Sequence, residues 1–172
     1  MQMVKRILGA FILILIFLWL FAPKQELYYL LETKLKENDV FLNNETVIDR
    51  WYGIEIKHAD LYVKGINMAK IDSLKFNLFF VYTDFIISKV TIDKSLQTMA
   101  PKSIERIDAK WSLLDPLHIQ IKGLGSFGSI DGSVALLDRE IKILFPIVKN
   151  INSFKKFLRK DPKGGWYYET NY

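Results

Sequence analysis

A glycine-rich motif is the feature of this sequence that looks most like a chemical site. Gly123, Gly125 and Gly128 match G-x-G-x-x-G, a pattern in which a loop and the following helix N-terminus bind the phosphates of a nucleotide. Here Gly132 and Ser133 continue with residues typical of turns and strands, so no helix is predicted after the third glycine. We interpret Gly123, Gly125, Gly128 and Gly132 as structural glycines, placed where a sheet coils tightly or another backbone approaches. Valine there should impair folding rather than catalysis.

Other constellations that could perform catalysis or bind a metal are missing from the sequence. His58 and His118 are the two histidines; they lie far apart in sequence, and neither belongs to a cluster of histidine and acidic residues at metal-ligand spacing. No cysteine occurs, which excludes thiolate metal sites, cysteine nucleophiles and disulfides. The serines lack a G-x-S-x-G nucleophile elbow. We therefore predict a protein that is not an enzyme and that has no catalytic residue, metal or cofactor.

The N-terminus carries the clearest structural signal, an uninterrupted apolar run. Residues 7–22 contain no charged side chain, and their length approaches the roughly 20 residues that cross a bilayer. Basic side chains before the run can reach the interface, and Trp19 lies near the far end of the run. We predict a transmembrane helix over residues 7–22, with these anchor residues: Lys5, Arg6, Ile7, Trp19 and Phe21.

A cleaved signal peptide is the competing interpretation of the same run. Ala22 could precede a cleavage point, but Leu20 is large where a small residue is preferred, and Pro23 follows directly. These residues favour a retained anchor. Because long C-terminal domains cross regardless of their own charge, the short basic N-terminus, residues 1–6, should stay in the cytoplasm. The expected location is a bacterial inner membrane, crossed once, with the C-terminal domain in the periplasm.

An amphipathic helix and a single β-rich domain are predicted beyond the membrane span. Leu27, Leu31 and Leu35 recur every four residues, which predicts a helix over residues 23–38 whose leucines and Tyr28 pack on the domain. Residues 39–172 are enough for one domain of ordinary size.

The domain is predicted to be mainly β, as a curved antiparallel sheet or open barrel with amphipathic helices at both ends. From Val40 onward, apolar residues alternate in short runs separated by turn signals such as Asn43-Asn44. The apolar parity flips near residues 58–60, where a bulge would reconcile the two halves of one strand. A ferredoxin-like fold is disfavoured because its crossover helices are missing.

The C-terminal segment concentrates the net charge of +5. Pro146 should end the preceding strand, and apolar residues at helical spacing then predict a basic helix over residues 148–160 before a terminal strand at residues 166–169. Such a helix could contact a partner or lipid headgroups, or it could be a solvated cap on the sheet. The candidate contact residues are Lys155, Lys156, Arg159 and Lys160, and nucleic acid is not an expected partner.

The order of these parts resembles a known family. The glycines lead into Ser133-Val134-Ala135-Leu136, and Gly164-Gly165-Trp166-Tyr167-Tyr168-Glu169 lies near the C-terminus. Together with the N-terminal span, this arrangement is similar to the protein N component of bacterial type II secretion systems, within the wider AsmA-like group. The resemblance implies a non-catalytic inner-membrane component of a secretion or type IV pilus-like machine that contacts other inner-membrane subunits. It carries over no active-site residue.

Lipid handling is the alternative function. Phe79 and Val81 make one strand end apolar on both sides, which indicates a sheet face that could shield the acyl chains of a phospholipid while the basic tail meets headgroups.

Overall fold

The computed structural model describes residues 2–21, 24–161 and 165–172. Ala22, Pro23 and Gly164, which enter the cleavage-site argument and the terminal motif, lie outside the described residues. The helices are α1 (Gln2–Leu20), α2 (Lys24–Lys36) and a short 3-10 helix at Lys155–Phe157. The strands are β1 (Val40–Asn43), β2 (Thr46–Arg50), β3 (Gly53–Val63), β4 (Ile66–Leu78), β5 (Tyr82–Ile92), β6 (Ser103–Ser112), β7 (Asp115–Gly125), β8 (Gly128–Ala135), β9 (Glu140–Val148), β10 (Arg159–Lys160) and β11 (Trp166–Asn171).

The N-terminal apolar run forms one continuous helix. α1 spans 19 residues, none of which is buried in the protein, and it is long and apolar enough to cross a membrane. It begins before the predicted boundary at residue 7, because the residues from Gln2 to Arg6 continue the same helical turns. A helix of this kind at an N-terminus fits either a membrane anchor or a signal sequence.

The strands form one antiparallel sheet of 11 strands, in the order β1-β3-β4-β5-β6-β7-β8-β9-β11-β10, with β2 also paired to β3. The two ends of this order do not pair with each other, so the predicted mainly β fold is confirmed as a curved open sheet rather than a closed barrel. β1 and β2 lie end to end along β3. The Asn43-Asn44 signal therefore interrupts an edge strand, and Asn44 adopts a positive φ of 61° there.

The predicted parity flip in β3 is confirmed at His58. Ile56 and Ala59 are both in the buried core, although they are three positions apart, and His58 between them has a φ of 57°. Lys89 in β5, with a φ of 52°, lies level with it. The predicted bulge is not at this position: Lys57 pairs with Ser73 and Ala59 with Ile71, so the register passes His58 unchanged and shifts only between Leu61 and Tyr62. The left-handed backbone at His58 and Lys89 accompanies the parity change instead.

The predicted basic helix over residues 148–160 is wrong. β9 continues through Pro146 to Val148. Pro146 has no amide hydrogen to donate, and this is tolerated because the pairing of β9 with β11 ends at Phe145. Turns then bury Ile151 and Phe154 against Phe145. Apolar residues at helical spacing thus form a compact plug rather than a helix face. The terminal strand is confirmed as β11.

Two hydrophobic clusters stabilise the sheet, both on the side that faces α2. The first contains these buried residues: Tyr28, Leu42, Ile54, Ile56, Ala59, Ala69, Ile71 and Val90. The second contains Phe127, Phe145, Ile151 and Phe154. Helix α2 contributes Tyr28, whereas Leu30 and Leu31 remain 64% and 54% exposed. The predicted contact of Tyr28 with the domain is confirmed, whereas Leu31 is only partly covered.

Candidate functional site

One side of the sheet is apolar across its whole width, and we call it the apolar face. Cα partners share a face of a sheet, so the register between strands defines the set. Phe76 of β4 pairs with Phe85 of β5, which pairs with Ala109 of β6, and Ala109 pairs with Ile121 of β7. The same row continues through Gly132 of β8 to Ile143 of β9 and Tyr168 of β11.

The middle of the apolar face is left without a covering layer in the described part of the chain. Seven apolar residues there are only half-buried and belong to neither hydrophobic cluster: Ile107, Ala109, Trp111, Ile119, Ile121, Val134 and Ile141. At the far end of the sheet the two clusters meet at Ile104, which packs against both. The uncovered area therefore opens toward the opposite end, where the β6–β7 and β8–β9 turns lie.

A cleft between α2 and the sheet continues the apolar face toward β3. It encloses about 140 Å³ and is lined almost entirely by carbon, from Tyr28 and Leu31 on the helix and these strand residues: Ile54, Ile56, Leu74, Phe76, Leu78 and Phe85. Lys24 is the one charged residue among its lining residues and is 5% exposed. Its ammonium donates to the carbonyl of Leu20 over 3.3 Å, so it caps the last turn of α1, where a positive charge is favourable.

The predicted anchor residues all lie on α1 or directly after it. Lys5, Arg6, Ile7 and Phe21 are exposed. Trp19 is the anchor residue that joins α1 to the sheet. Its indole N–H donates to the carbonyl of Leu78 over 3.0 Å, and its ring meets that of Trp51 edge-on at 5.9 Å. The end of α1 is therefore fixed beside the β4–β5 and β2–β3 turns.

The candidate basic residues lie at the other end of the sheet. Lys155 and Lys156 follow the distal end of β9, and Arg159 and Lys160 form β10 against the start of β11. Two of the four charges are engaged locally: the Lys155 ammonium lies 4.9 Å from the Trp166 ring, and Arg159 pairs with Glu169 at 3.5 Å. Trp19 lies at the opposite end of the sheet, so at least the length of β11 separates these residues from it. This placement, at the opposite end of the sheet from α1, gives no support to the predicted headgroup contact, and contact with a partner stays a prediction.

The four structural glycines occupy a hairpin, not a phosphate-binding turn. β7 and β8 pair directly, with Gly125 opposite Gly128. A Cβ at Gly123 would lie 2.8 Å from the Ile130 side chain, and one at Gly132 would lie 2.5 Å from the Lys142 carbonyl oxygen. A Cβ at Gly125 would approach the Ser103 carbonyl at 2.7 Å. This is the close approach of neighbouring groups that the sequence predicts.

Titratable groups are dispersed and paired in ordinary ways. His58 lies 3.7 Å from Asp72, and His118 contacts Asp115 at 2.7 Å, both on the surface. Among residues 2–21, 24–161 and 165–172, no group of three or more acidic or histidine side chains could hold a metal ion.

Glu55 is the buried carboxylate among the described residues, at 3% exposure. It accepts hydrogen bonds from Nε and Nη2 of Arg50 and from the Ser73 hydroxyl over 3.4 Å, and the Lys75 ammonium lies 3.6 Å away. The hydrogen bond from Arg50 is the main reason why the pKa of Glu55 lies below its ordinary value of 4.5, against the opposing effect of burial. The carboxylate lies on the opposite side of β3 from the apolar face, so its role is structural.

Replacing Glu55 with glutamine should lower the free energy of unfolding by roughly 1–3 kcal/mol at pH 7, because the ion pair is lost while Arg50 stays on the surface. A depressed pKa stabilises the fold above the unfolded value and loses that contribution as pH falls through the folded value. The difference between wild type and E55Q should therefore shrink below about pH 4.5. Urea unfolding of the full chain in detergent at pH 7 and pH 3.5 measures it, and a gap that is equal at both pH values would contradict the assignment.

No protein-family model, curated protein or solved structure matches this chain.

The apolar face was only partly foreseeable from the sequence. Phe79 and Val81, which first pointed to it, lie elsewhere: Phe79 stacks between Tyr52 and Tyr82, and Val81 is exposed in the β4–β5 turn. The face is built instead by the alternating residues of β6 to β9. Aligning those strands as consecutive hairpins would have shown that Ala109, Ile121 and Ile143 share one side.

Proposed function

We propose that this protein is held in a membrane by α1 and binds the acyl chain of a lipid on the apolar face. The observation that carries the proposal is the uncovered apolar area in the middle of an otherwise folded sheet. Water contact with apolar surface costs about 25 cal/mol per Å², and large exposed apolar patches are typical of binding surfaces. An acyl chain is a ligand that such a face accepts without any polar partner.

The location of the uncovered area supports a membrane lipid as the ligand. The face is open toward the end of the sheet at which Trp19 joins α1, and it is closed at the far end by Ile151 and Phe154. A lipid that enters from the bilayer would reach the face without crossing the plug. The alternative function of lipid handling within the AsmA-like group therefore becomes our leading proposal. It includes a retained anchor in a bacterial inner membrane, with residues 1–6 in the cytoplasm and the sheet in the periplasm.

Native mass spectrometry of the full chain, extracted from membranes in mild detergent, tests both parts. The mass of the chain should match all 172 residues, which reports a retained anchor, and a phospholipid should remain bound. I121E puts a charge in the middle of the apolar face. It should reduce the lipid-bound fraction about tenfold or more, because a buried unpaired carboxylate is costly.

The matched control is Q120E, which adds the same charge to the same strand on the opposite, exposed side. It should leave the bound fraction unchanged. Equal lipid occupancy in wild type, I121E and Q120E would overturn the proposed ligand. A mass that corresponds to a protein beginning after residue 22 would overturn the proposal that the anchor is retained.

A second candidate, a subunit of a secretion or pilus-like machine, is favoured by one observation. β10 covers only the first two residues of β11, so the outer edge from Tyr168 to Asn171 has no strand partner within the described residues. Free edges of this kind bind a strand from another protein. A photocrosslinking residue at Thr170 should then capture another inner-membrane protein in intact cells, whereas the same residue at Asp72 should not. Capture at neither position would remove this candidate.

A further inference from the structure

The turns at one end of the sheet form an apolar rim. The rim comprises the β2–β3 turn with Trp51, the β4–β5 turn with Phe80 and Val81, the β6–β7 turn with Leu113 and Leu114, and the β8–β9 turn with Leu136 and Leu137. Each of these side chains is exposed; Leu114 is 96% and Leu137 76% accessible. Turns are usually built from polar residues and glycine. Bulky apolar residues at the tips of successive hairpins therefore require a specific explanation.

Backbone hydrogen bonds join these turns into a continuous line. The Leu78 amide donates to the Tyr52 carbonyl over 2.7 Å, and the Leu113 amide donates to the Val81 carbonyl over 2.9 Å. The Leu136 amide donates to the Leu117 carbonyl over 2.9 Å. The apolar tips thus keep fixed positions along one edge, from β2 to β9.

The other end of the sheet has a different character. Its β3–β4 turn is Lys64-Gly65, next to the exposed Ile66, and the β5–β6 connection carries Asp93, Lys94 and Lys102 beside the exposed Met99. Ile147, Val148 and Phe157 are also exposed at this end. The difference between the ends is therefore that bulky apolar residues form the tips of the turns at the α1 end, whereas at the distal end they are mixed with charged residues and glycine. By strand length the two ends lie on the order of 35 Å apart.

The end of α1 lies at the rim. Trp19 donates to the Leu78 carbonyl at 3.0 Å and packs on Trp51 at 5.9 Å. Tryptophan in a transmembrane helix favours the boundary between hydrocarbon and headgroups. If α1 spans a bilayer, as proposed above, the contact with Trp19 places the rim at the depth of that boundary.

We propose that the apolar rim inserts into the surface of the bilayer that α1 spans. This inference rests on the membrane anchor of the proposed function. The partner that the rim contacts is membrane lipid. Insertion buries the exposed leucines and aromatic rings in the interfacial region, as amphipathic membrane-surface segments do. It also seats the open end of the apolar face directly on the bilayer, so that an acyl chain can pass from one to the other without crossing water.

Spin labels can measure the depth of the rim, because the chain has no native cysteine. Single cysteines at Leu114, Leu137 and Lys94 are labelled with a nitroxide in the full chain. The protein is then reconstituted in vesicles of phosphatidylethanolamine and phosphatidylglycerol. At positions 114 and 137, collisions with oxygen should exceed collisions with a water-soluble nickel chelate. At position 94, in the distal connection, the ratio should be reversed.

Labels at 114 and 137 that collide with the nickel chelate as often as the label at 94 would overturn the rim proposal. Circular dichroism of each labelled protein checks that the sheet is intact. The result is independent of lipid occupancy on the apolar face. Bound lipid with water-exposed rim labels refutes the rim alone, whereas membrane-inserted labels with no bound lipid support the rim and refute the lipid ligand.

Discussion

Replacing Gly128 with valine is expected to prevent the sheet from folding. Gly128 has a φ of +101°, a conformation that valine rarely adopts, and its Cβ would lie 1.9 Å from the Ile147 carbonyl oxygen. Both atoms belong to paired strands, so neither can move without breaking the β8–β9 register. Backbone strain and overlap of this kind cost more than about 4 kcal/mol, which is a large part of the stability of a domain of this size.

Circular dichroism and urea unfolding of the full chain in detergent measure this loss. The control is S129V, which places the same side chain at the next position of β8, where β-branched residues are favourable. S129V should change the free energy of unfolding by less than about 1 kcal/mol. A G128V protein with wild-type β signal and wild-type unfolding midpoint would show that the close approach at Ile147 is wrong.

Replacing Tyr28 with alanine should release α2 from the sheet. Tyr28 is 5% exposed, belongs to the first hydrophobic cluster, and donates to a carboxylate oxygen of Glu45 over 3.1 Å. Burial is also the main reason why its pKa lies above the ordinary value. Loss of a buried aromatic ring costs about 3–5 kcal/mol. Among the apolar side chains of α2 that the structure describes, Tyr28 is the buried one. Its loss should therefore detach the helix from the sheet.

Hydrogen exchange of the α2 amides is the direct measurement. Exchange in Y28A should approach that of an unprotected helix, while the strands β6 to β9 stay protected. Y29A is the matched control, because the neighbouring tyrosine is 51% exposed, and it should leave exchange unchanged. Y28F removes only the hydrogen bond to Glu45 and should cost about 1 kcal/mol. Equal protection of α2 in Y28A and Y29A would contradict the packing described for the helix.

Local patterns in the sequence predicted the elements well where one physical rule dominates. The run from Ile7 to Phe21 could only be an apolar helix, and period-two alternation identified strands such as β4 and β6. The parity change at His58 was visible because apolar residues an odd number of positions apart cannot face the same side of a regular strand. The helix, the strands and the parity change each depend on residues that are close together in the chain, so they can be predicted from local sequence patterns.

The segment after Pro146 shows why other features could not be predicted. Ile151 and Phe154 have helical spacing, but their partner is Phe145 on the sheet, and tertiary burial prevailed over the local pattern. A free side of β9 also allowed Pro146 inside a strand, which a central position would forbid. Long-range pairing decided both outcomes, and local sequence patterns do not reveal it.

The apolar face is likewise a property of register rather than of any one strand. Each of β6, β7, β8 and β9 reads as an ordinary amphipathic strand, for which a second layer of structure is expected. Only the pairing of Ala109 with Ile121, and of Val134 with Ile141, shows that the apolar sides coincide. In the described chain, α2 and the plug at Ile151 cover the two flanks of this side and leave its centre uncovered.

Photocrosslinking with a phospholipid that carries a diazirine in its acyl chain is the most direct test of whether the centre of the apolar face binds lipid. Membranes containing the full-length protein are irradiated, and the labelled residues are located by mass spectrometry. Labels are expected on α1 and on the half-buried side chains of the apolar face, including Ile107, Ile121 and Val134, with little labelling of Lys110 and Gln120 on the opposite side. Labels confined to α1, or spread equally over both sides of β6 and β7, would contradict lipid binding by the apolar face.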